Sequence, residues 1–182
     1  TKTDGTLWAI GRNDKGELGD GTATNRSSPV QVGALTTWDK FVNGNYHTIA
    51  TKTDGTLWTW GYNGQGQLGI GDTTNRSSPV QVGALTTWGD SIAGGGNYTV
   101  TVKTDGTLWV WGQGIFGCLG LNNSTYYSSP VQVGGLTTWS NVSAGQFHTL
   151  STKTDGTLWS WGNGYAGKLG LGNTTYYSSP KQ

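Results

Sequence analysis

Three observations in the 182-residue sequence predict an all-β fold of repeated four-stranded antiparallel sheets. The heptapeptide KTDGTLW begins at Lys2, Lys52, Lys103 and Lys153, at spacings of 50, 51 and 50 residues. In each copy the glycine after the Trp-bearing run stands 18 residues before a proline: Gly11 to Pro29, Gly61 to Pro79, Gly112 to Pro130 and Gly162 to Pro180. Between these fixed points the apolar residues are β-branched or aromatic, and no segment carries a convincing helical period. A constant interval argues that both of its ends are pinned in three dimensions, since nothing holds the length of a disordered repeat. A period near fifty residues with about four strands is that of a β-propeller blade.

The elements follow in order, taking the second copy as the type. Thr48–Lys52, then Thr53-Asp54-Gly55, then Thr56–Trp60 reads as strand, turn and strand. Asp-Gly suits the turn because Gly accepts positive φ and Asp bonds its local backbone. In the second run Leu57 falls on the face opposite Trp58 and Trp60, so one face carries indoles and the other smaller groups, and both are able to pack between neighbouring sheets. A glycine-rich loop, Gly64 to Gly71, turns around a single inward Leu68. Pro79-Val80-Gln81-Val82 alternates after a proline that belongs at a strand beginning or an edge. A fourth run from Trp88 to Ala93 returns the chain to the next hairpin. The single inserted residue lies between Trp88 and Gly95.

Composition sets the limits. Leu, Ile, Val and Phe make up only 33 residues, few enough to suggest disorder, yet 11 basic and 10 acidic side chains leave a net charge of +1 without the self-repulsion that disorder brings. Ten Trp supply the missing apolar area, each worth about 4–6 kcal/mol as an upper figure when buried. The near-neutral balance gives no footprint for nucleic acid, and no apolar run is long enough for membrane insertion. Cys118, the one cysteine, excludes an internal disulfide framework and a cysteine-based zinc site. The first residue is Thr1 and there is no Met, so a processed product or a fragment is expected.

The pattern A-G-x-x-H-T-x-x-x-K-T-D-G-T-L-W-x-W-G-x-x-x-x-G-x-L-G, from Ala144 to Gly170, resembles the repeat of the regulator of chromosome condensation family, over essentially the whole chain. The resemblance implies β-propeller blades in a ring usually of seven. Its members include a nucleotide-exchange factor, chromatin binders, β-lactamase inhibitors and bacterial or viral proteins of unassigned role, so it does not settle function. Two departures stand out: Ile10 occupies the place of Trp60, Trp111 and Trp161, and Tyr98 that of His47 and His148. Looser packing of the first unit is expected. One repeat domain of about 3.6 units is expected, at about 1–35, 36–85, 86–136 and 137–182, against roughly 350 residues for seven units. Further repeats or another subunit are expected at the open blade edge.

Candidate chemistry is thin. His47 and His148 recur at one place in separate units and read as structural, as do Asp4, Asp54, Asp105 and Asp155 in their turns. The glycine loops lack a phosphate-binding motif and a following helix. Cys118 takes the slot of Glu17, Gln67 and Lys168, which reads as exposed loop. No metal, cofactor or catalytic set is expected. Trp58, Trp60, Trp109, Trp111, Trp159 and Trp161, with the turn glycines Gly55, Gly106 and Gly156, are the expected structural residues. The segment before each proline changes from TNRSSP in the first two units to TYYSSP in the last two, placing Arg26 and Arg76 on one arc and Tyr126, Tyr127, Tyr176 and Tyr177 on the next. Tyr and Arg favour recognition, so this arc is the candidate site for a protein or glycan, against the plainer reading that it merely packs on adjacent blades. The expected function is a non-enzymatic recognition or scaffold propeller on a cell surface or virus particle, with intracellular regulation by nucleotide exchange or chromatin contact as the alternative.

Overall fold

The computed structural model describes residues 1–182, apart from the side-chain environment of Asp90. The chain forms fourteen strands in four antiparallel sheets. The first sheet pairs β1 (Trp8–Gly11) with β2 (Arg26–Gln31). The second runs β3 (Trp38–Asn43), β4 (His47–Lys52), β5 (Leu57–Gly61), β6 (Arg76–Gln81) in that spatial order. The third repeats it with β7 (Trp88–Gly94), β8 (Tyr98–Lys103), β9 (Leu108–Gly112) and β10 (Tyr127–Gln132). The fourth does so with β11 (Trp139–Ala144), β12 (His148–Lys153), β13 (Leu158–Gly162) and β14 (Tyr177–Lys181). The leading strands β3, β7 and β11 neighbour one another, while β6, β10 and β14 lie at the opposite edges, which is the architecture of propeller blades. Two short 3-10 turns, Ile115–Gly117 and Tyr165–Gly167, sit in the loops of the third and fourth units.

Alternation along the third strand of each sheet builds the cores, because neighbouring side chains leave a strand on opposite faces. Ile49, Leu57 and Val82 of the second sheet face forward and pack on Trp88, Ile92 and Trp111 of the third. Leu7 and Val32 meet Trp38 and Trp60 in the same way, and Val100, Leu108, Val110 and Val133 meet Trp139 and Trp161. The core is therefore a series of junctions, each with an aliphatic face against an indole face. The end faces show what the junction supplies: Leu158, with no sheet after it, is 55% exposed, whereas its equivalents Leu57 and Leu108 are 0% exposed. Ile10 is likewise 55% exposed, on the face of the first sheet that no other sheet covers.

The hairpin turns explain themselves atom by atom. Asp54 Oδ1 accepts from Thr56 N (3.0 Å) and from Thr56 Oγ1 (2.6 Å), and Thr56 Oγ1 in turn accepts from Trp58 Nε1 at 2.8 Å. The same relay joins Asp4 to Trp8, Asp105 to Trp109 and Asp155 to Trp159, so the carboxylate orients an indole as well as closing a turn. Gly55 has φ +77°, and a Cβ there would run into the carbonyl of Thr86 at the start of the next unit. Pro79 lies inside β6 rather than at its start. It is tolerated because β6 is an edge strand and its pairing with β5 shifts register between Thr59 and Gly61.

Candidate functional site

The glycine-rich loops leave the strands at the end opposite the hairpins, and those of the first three units are each clamped by the following sheet. Trp60 Nε1 and Thr48 Oγ1 both donate to the carbonyl of Glu17, at 2.9 and 3.0 Å. Trp111 and Thr99 do the same to Gln67, and Trp161 and Thr149 to Cys118, each at 2.9 Å. Gly19, Gly69 and Gly120, all at positive φ, allow the backbone to lie against those indoles. The expectation that Cys118 sits in an exposed loop is thus corrected: it is fully buried, because the slot works through its backbone carbonyl beneath the next sheet. Burial pushes its thiol up to about 12, which removes it as a nucleophile.

His47 is equally enclosed. Its Nε2 lies 3.0 Å from Thr99 Oγ1 across the junction, and burial takes the imidazole down to about 4, partly opposed by a hydrogen bond with the Tyr98 backbone. Tyr98 repeats the reach one sheet on, its hydroxyl donating to the carbonyl of His148 at 2.6 Å. His148 is half-buried, and burial, then the charge of Lys168, lower its pKa as well. These side chains span junctions and bring no nucleophile, base and stabiliser together. Among the described residues no cluster of His, Cys, Asp or Glu is placed to hold a metal ion, and no helix is long and apolar enough to cross a membrane.

The segment before each proline does lie at the loop end in all four units, but its members divide in two. Arg26 is bound by Asp20 (2.7 Å) and Arg76 by Asp72 (2.6 Å). In the later units Asn123 Nδ2 donates to the hydroxyl of Tyr127 (3.2 Å) and Asn173 Nδ2 to that of Tyr177 (3.3 Å). Arg with Asp has been exchanged for Tyr with Asn, so these four side chains engage their own loops. Tyr126 and Tyr176 remain exposed, at 45% and 47%. Asn25 and Asn75, which precede the two Arg, accept instead from the backbone N–H of Asn13 and Asn63.

The structure adds residues that sequence reasoning missed. Arg12 lies 5.3 Å over the ring of Tyr46, which meets Tyr62 edge-on at 6.4 Å. Tyr62 and Asn97 line one shallow hollow of about 360 Å³ with Arg12, Lys15 and Tyr46. Gln113 then accepts from Asn97 and donates to the hydroxyl of Tyr126. Further along, Phe116 packs edge-on to Phe147 (5.4 Å) and Tyr176 (5.2 Å). Arg12 to Tyr46, Tyr62 to Asn97 and Phe116 to Phe147 each cross a junction, so the loop end carries a band of aromatic and amide groups over all four units. The signal was present: these positions change identity from copy to copy inside an otherwise repeated frame.

The family model of the regulator of chromosome condensation (RCC1) repeat matches residues 4–51, 54–102, 105–151 and 155–182. The chain belongs to that family. No curated protein matches the sequence significantly. Among solved structures, human WBSCR16 superposes with a TM-score of 0.82 at 20% identity, over 96% of this chain and 46% of its own. Prp20p from Saccharomyces cerevisiae, described with its binding properties to Gsp1p and histones, gives 0.82 at 21%, over 97% and 45%. Yeast RCC1 (Prp20) bound to Kap60 gives 0.82 at 22%, over 98% and 45%. At these identities the likeness is one of fold, and this RCC1-repeat chain spans less than half the length of the three structures.

Proposed function

We propose that this RCC1-repeat chain is a non-enzymatic recognition scaffold that binds a protein partner through its loop end. The observation that carries this is the continuous band Arg12–Tyr46–Tyr62 and Phe116–Phe147–Tyr176, with Tyr126 between. Arg12, Tyr46, Tyr126 and Tyr176 are exposed and Tyr62, Phe116 and Phe147 half-buried; the aromatic rings offer large apolar faces at little cost in rotamer freedom, and Tyr and Arg add polar groups. The sheets hold most of the band rigidly, since the loops of the first three units are clamped at the backbone carbonyls of Glu17, Gln67 and Cys118. We also propose that further repeats, or another subunit, cover the exposed faces at Ile10 and Leu158. Low charge with abundant Thr, Gly and Trp supports a setting on a cell surface or virus particle.

The test is affinity capture with the purified chain and with its Tyr126→Ala/Tyr176→Ala variant. A partner retained by the first and lost by the second supports the reading; equal capture rejects the band as the site. One second reading has support, because the solved relative Prp20p is described with binding to Gsp1p and histones. Direct binding of a GTPase or of nucleosomes at physiological salt would favour it.

A further inference from the structure

Two junctions also carry, on a face that no residue of the aromatic band lines, a feature that the protein-binding reading leaves unused. Between successive sheets lies a groove, one of about 450 Å³ at the junction of the second and third units and one of about 510 Å³ at the next. The two match position for position: Leu85, Trp88, Lys103, Trp109, Gln81 and Pro130 in the first stand where Leu136, Trp139, Lys153, Trp159, Gln132 and Pro180 stand in the second. Volumes of this order suit a small ligand or one unit of a polymer.

The cation in each groove is unusual. Lys103 is only 8% exposed, with its Nζ 3.8 Å from the Trp109 ring centre and 4.7 Å from that of Trp88. Lys153 lies 3.8 and 5.0 Å from Trp159 and Trp139. Among the described residues neither ammonium has an ion-pair partner. The nearest acid in sequence, Asp105, spends its Oδ1 on Thr107. No carboxylate lines either groove, and Arg76, at the edge of the first, is already neutralised by Asp72. Indoles hold the lysine stem in place by cation–π attraction, but they accept none of its three N–H donors as an oxygen anion would.

We propose that these grooves bind an acidic polysaccharide, one uronic-acid unit per groove, with the sugar carboxylate on the lysine ammonium. Three features select it. The unpaired cations call for an anion, and a carboxylate on a ring matches a point-charge ammonium. The remaining lining mixes indole and leucine planes with amide and hydroxyl groups of Gln81 and Ser129, which suits a ring with one apolar side and several hydroxyls. The same groove recurs at consecutive junctions, so a chain that repeats its own acidic unit gains avidity that a single ligand does not. The grooves touch the glycine-rich loops but none of the aromatic-band residues, so each proposal survives the failure of the other.

The experiment is calorimetric titration of the full chain with four probes: oligogalacturonate long enough to span two grooves, galacturonic acid, the oligomer's methyl ester, and poly-glutamate. The proposal expects the oligomer to bind, the monosaccharide and the ester to bind at least about tenfold more weakly, and added salt to reduce affinity. Lys103→Gln/Lys153→Gln should cost about tenfold or more. Leu85→Glu/Leu136→Glu, at exposed positions of the groove rim, should weaken binding by like-charge repulsion while leaving the melting temperature unchanged, which keeps the test open if the lysine variant unfolds. Tyr126→Ala/Tyr176→Ala should bind as the parent does. Absence of oligomer binding, equal affinity for ester or monosaccharide, or indifference to the Leu variants overturns the proposal. Poly-glutamate binding as tightly as the oligomer overturns it in favour of an acidic peptide.

Discussion

The indole Nε1 of Trp111 donates to the backbone carbonyl of Gln67, 2.9 Å away in the preceding unit. The same carbonyl takes the hydroxyl of Thr99, so two donors from one sheet converge on one acceptor of another. Replacing Trp111 with Phe keeps much of the ring and removes one donor. An expected loss of about 1–3 kcal/mol combines the missing bond with imperfect refilling of the site. Cys118→Ala should cost less, since its part in the equivalent contact belongs to the main chain. Urea unfolding of both variants checks the order.

The turn glycines should separate into two classes. A Cβ at Gly55 or Gly106 meets the carbonyl of Thr86 or Thr137, whereas at Gly156 it meets nothing within 4 Å. All three have positive φ, so each Ala variant bears a backbone cost of about 1 kcal/mol. Gly55→Ala and Gly106→Ala should lose more than Gly156→Ala by at least about 1 kcal/mol, measured by thermal melting.

Acid should weaken the fold before the carboxylates titrate. His47 has an ordinary value of 6.5 and is held down to about 4 when folded, so the unfolded chain takes up the proton first. Its contribution is complete above about pH 6.5 and is lost as pH falls toward 4, by about 3 kcal/mol in all. His148 shifts in the same direction and adds to the slope. The variant His47→Tyr, which copies the residue found at position 98, should flatten the profile across this window. An unchanged slope would show that the buried imidazole is not its source.

The two Arg–Asp pairs should differ in weight. Asp72 is half exposed beside Arg76, an arrangement worth at most about 1 kcal/mol. The Asp20 side chain is 2% exposed and accepts from Thr22 and Asn13 as well as Arg26. Burial raises its pKa, but those bonds outweigh burial and bring it to about 2. Asp20→Asn is therefore expected to cost about 2 kcal/mol and Asp72→Asn under 1, by denaturant titration.

Much of this architecture was legible because strands advertise a period of two. Leu57 between Thr56 and Trp58 announces two buried faces, and the four KTDGTLW copies fix the unit. The clamps were not legible. A slot that uses its carbonyl leaves no mark on residue type, so Glu17, Gln67, Cys118 and Lys168 read as an indifferent loop. The recognition band was half legible: Tyr126 and Tyr176 stood out beside the prolines, but Arg12 and Tyr46 lie in different units, and only the stacking of one sheet on the next brings them together. Arg26 and Arg76 looked available until their Asp partners were placed in the same turn.

A seam held by main-chain acceptors has a consequence for how such a protein changes length. Since the clamp asks only for a peptide oxygen on one side and a Trp with a Thr on the other, a duplicated unit arrives already fitted to both neighbours. Lengthening or shortening the array by whole copies needs no new complementary surface to be invented, and the side chain in the carbonyl slot, Glu17, Gln67 or Cys118, is free to differ from copy to copy.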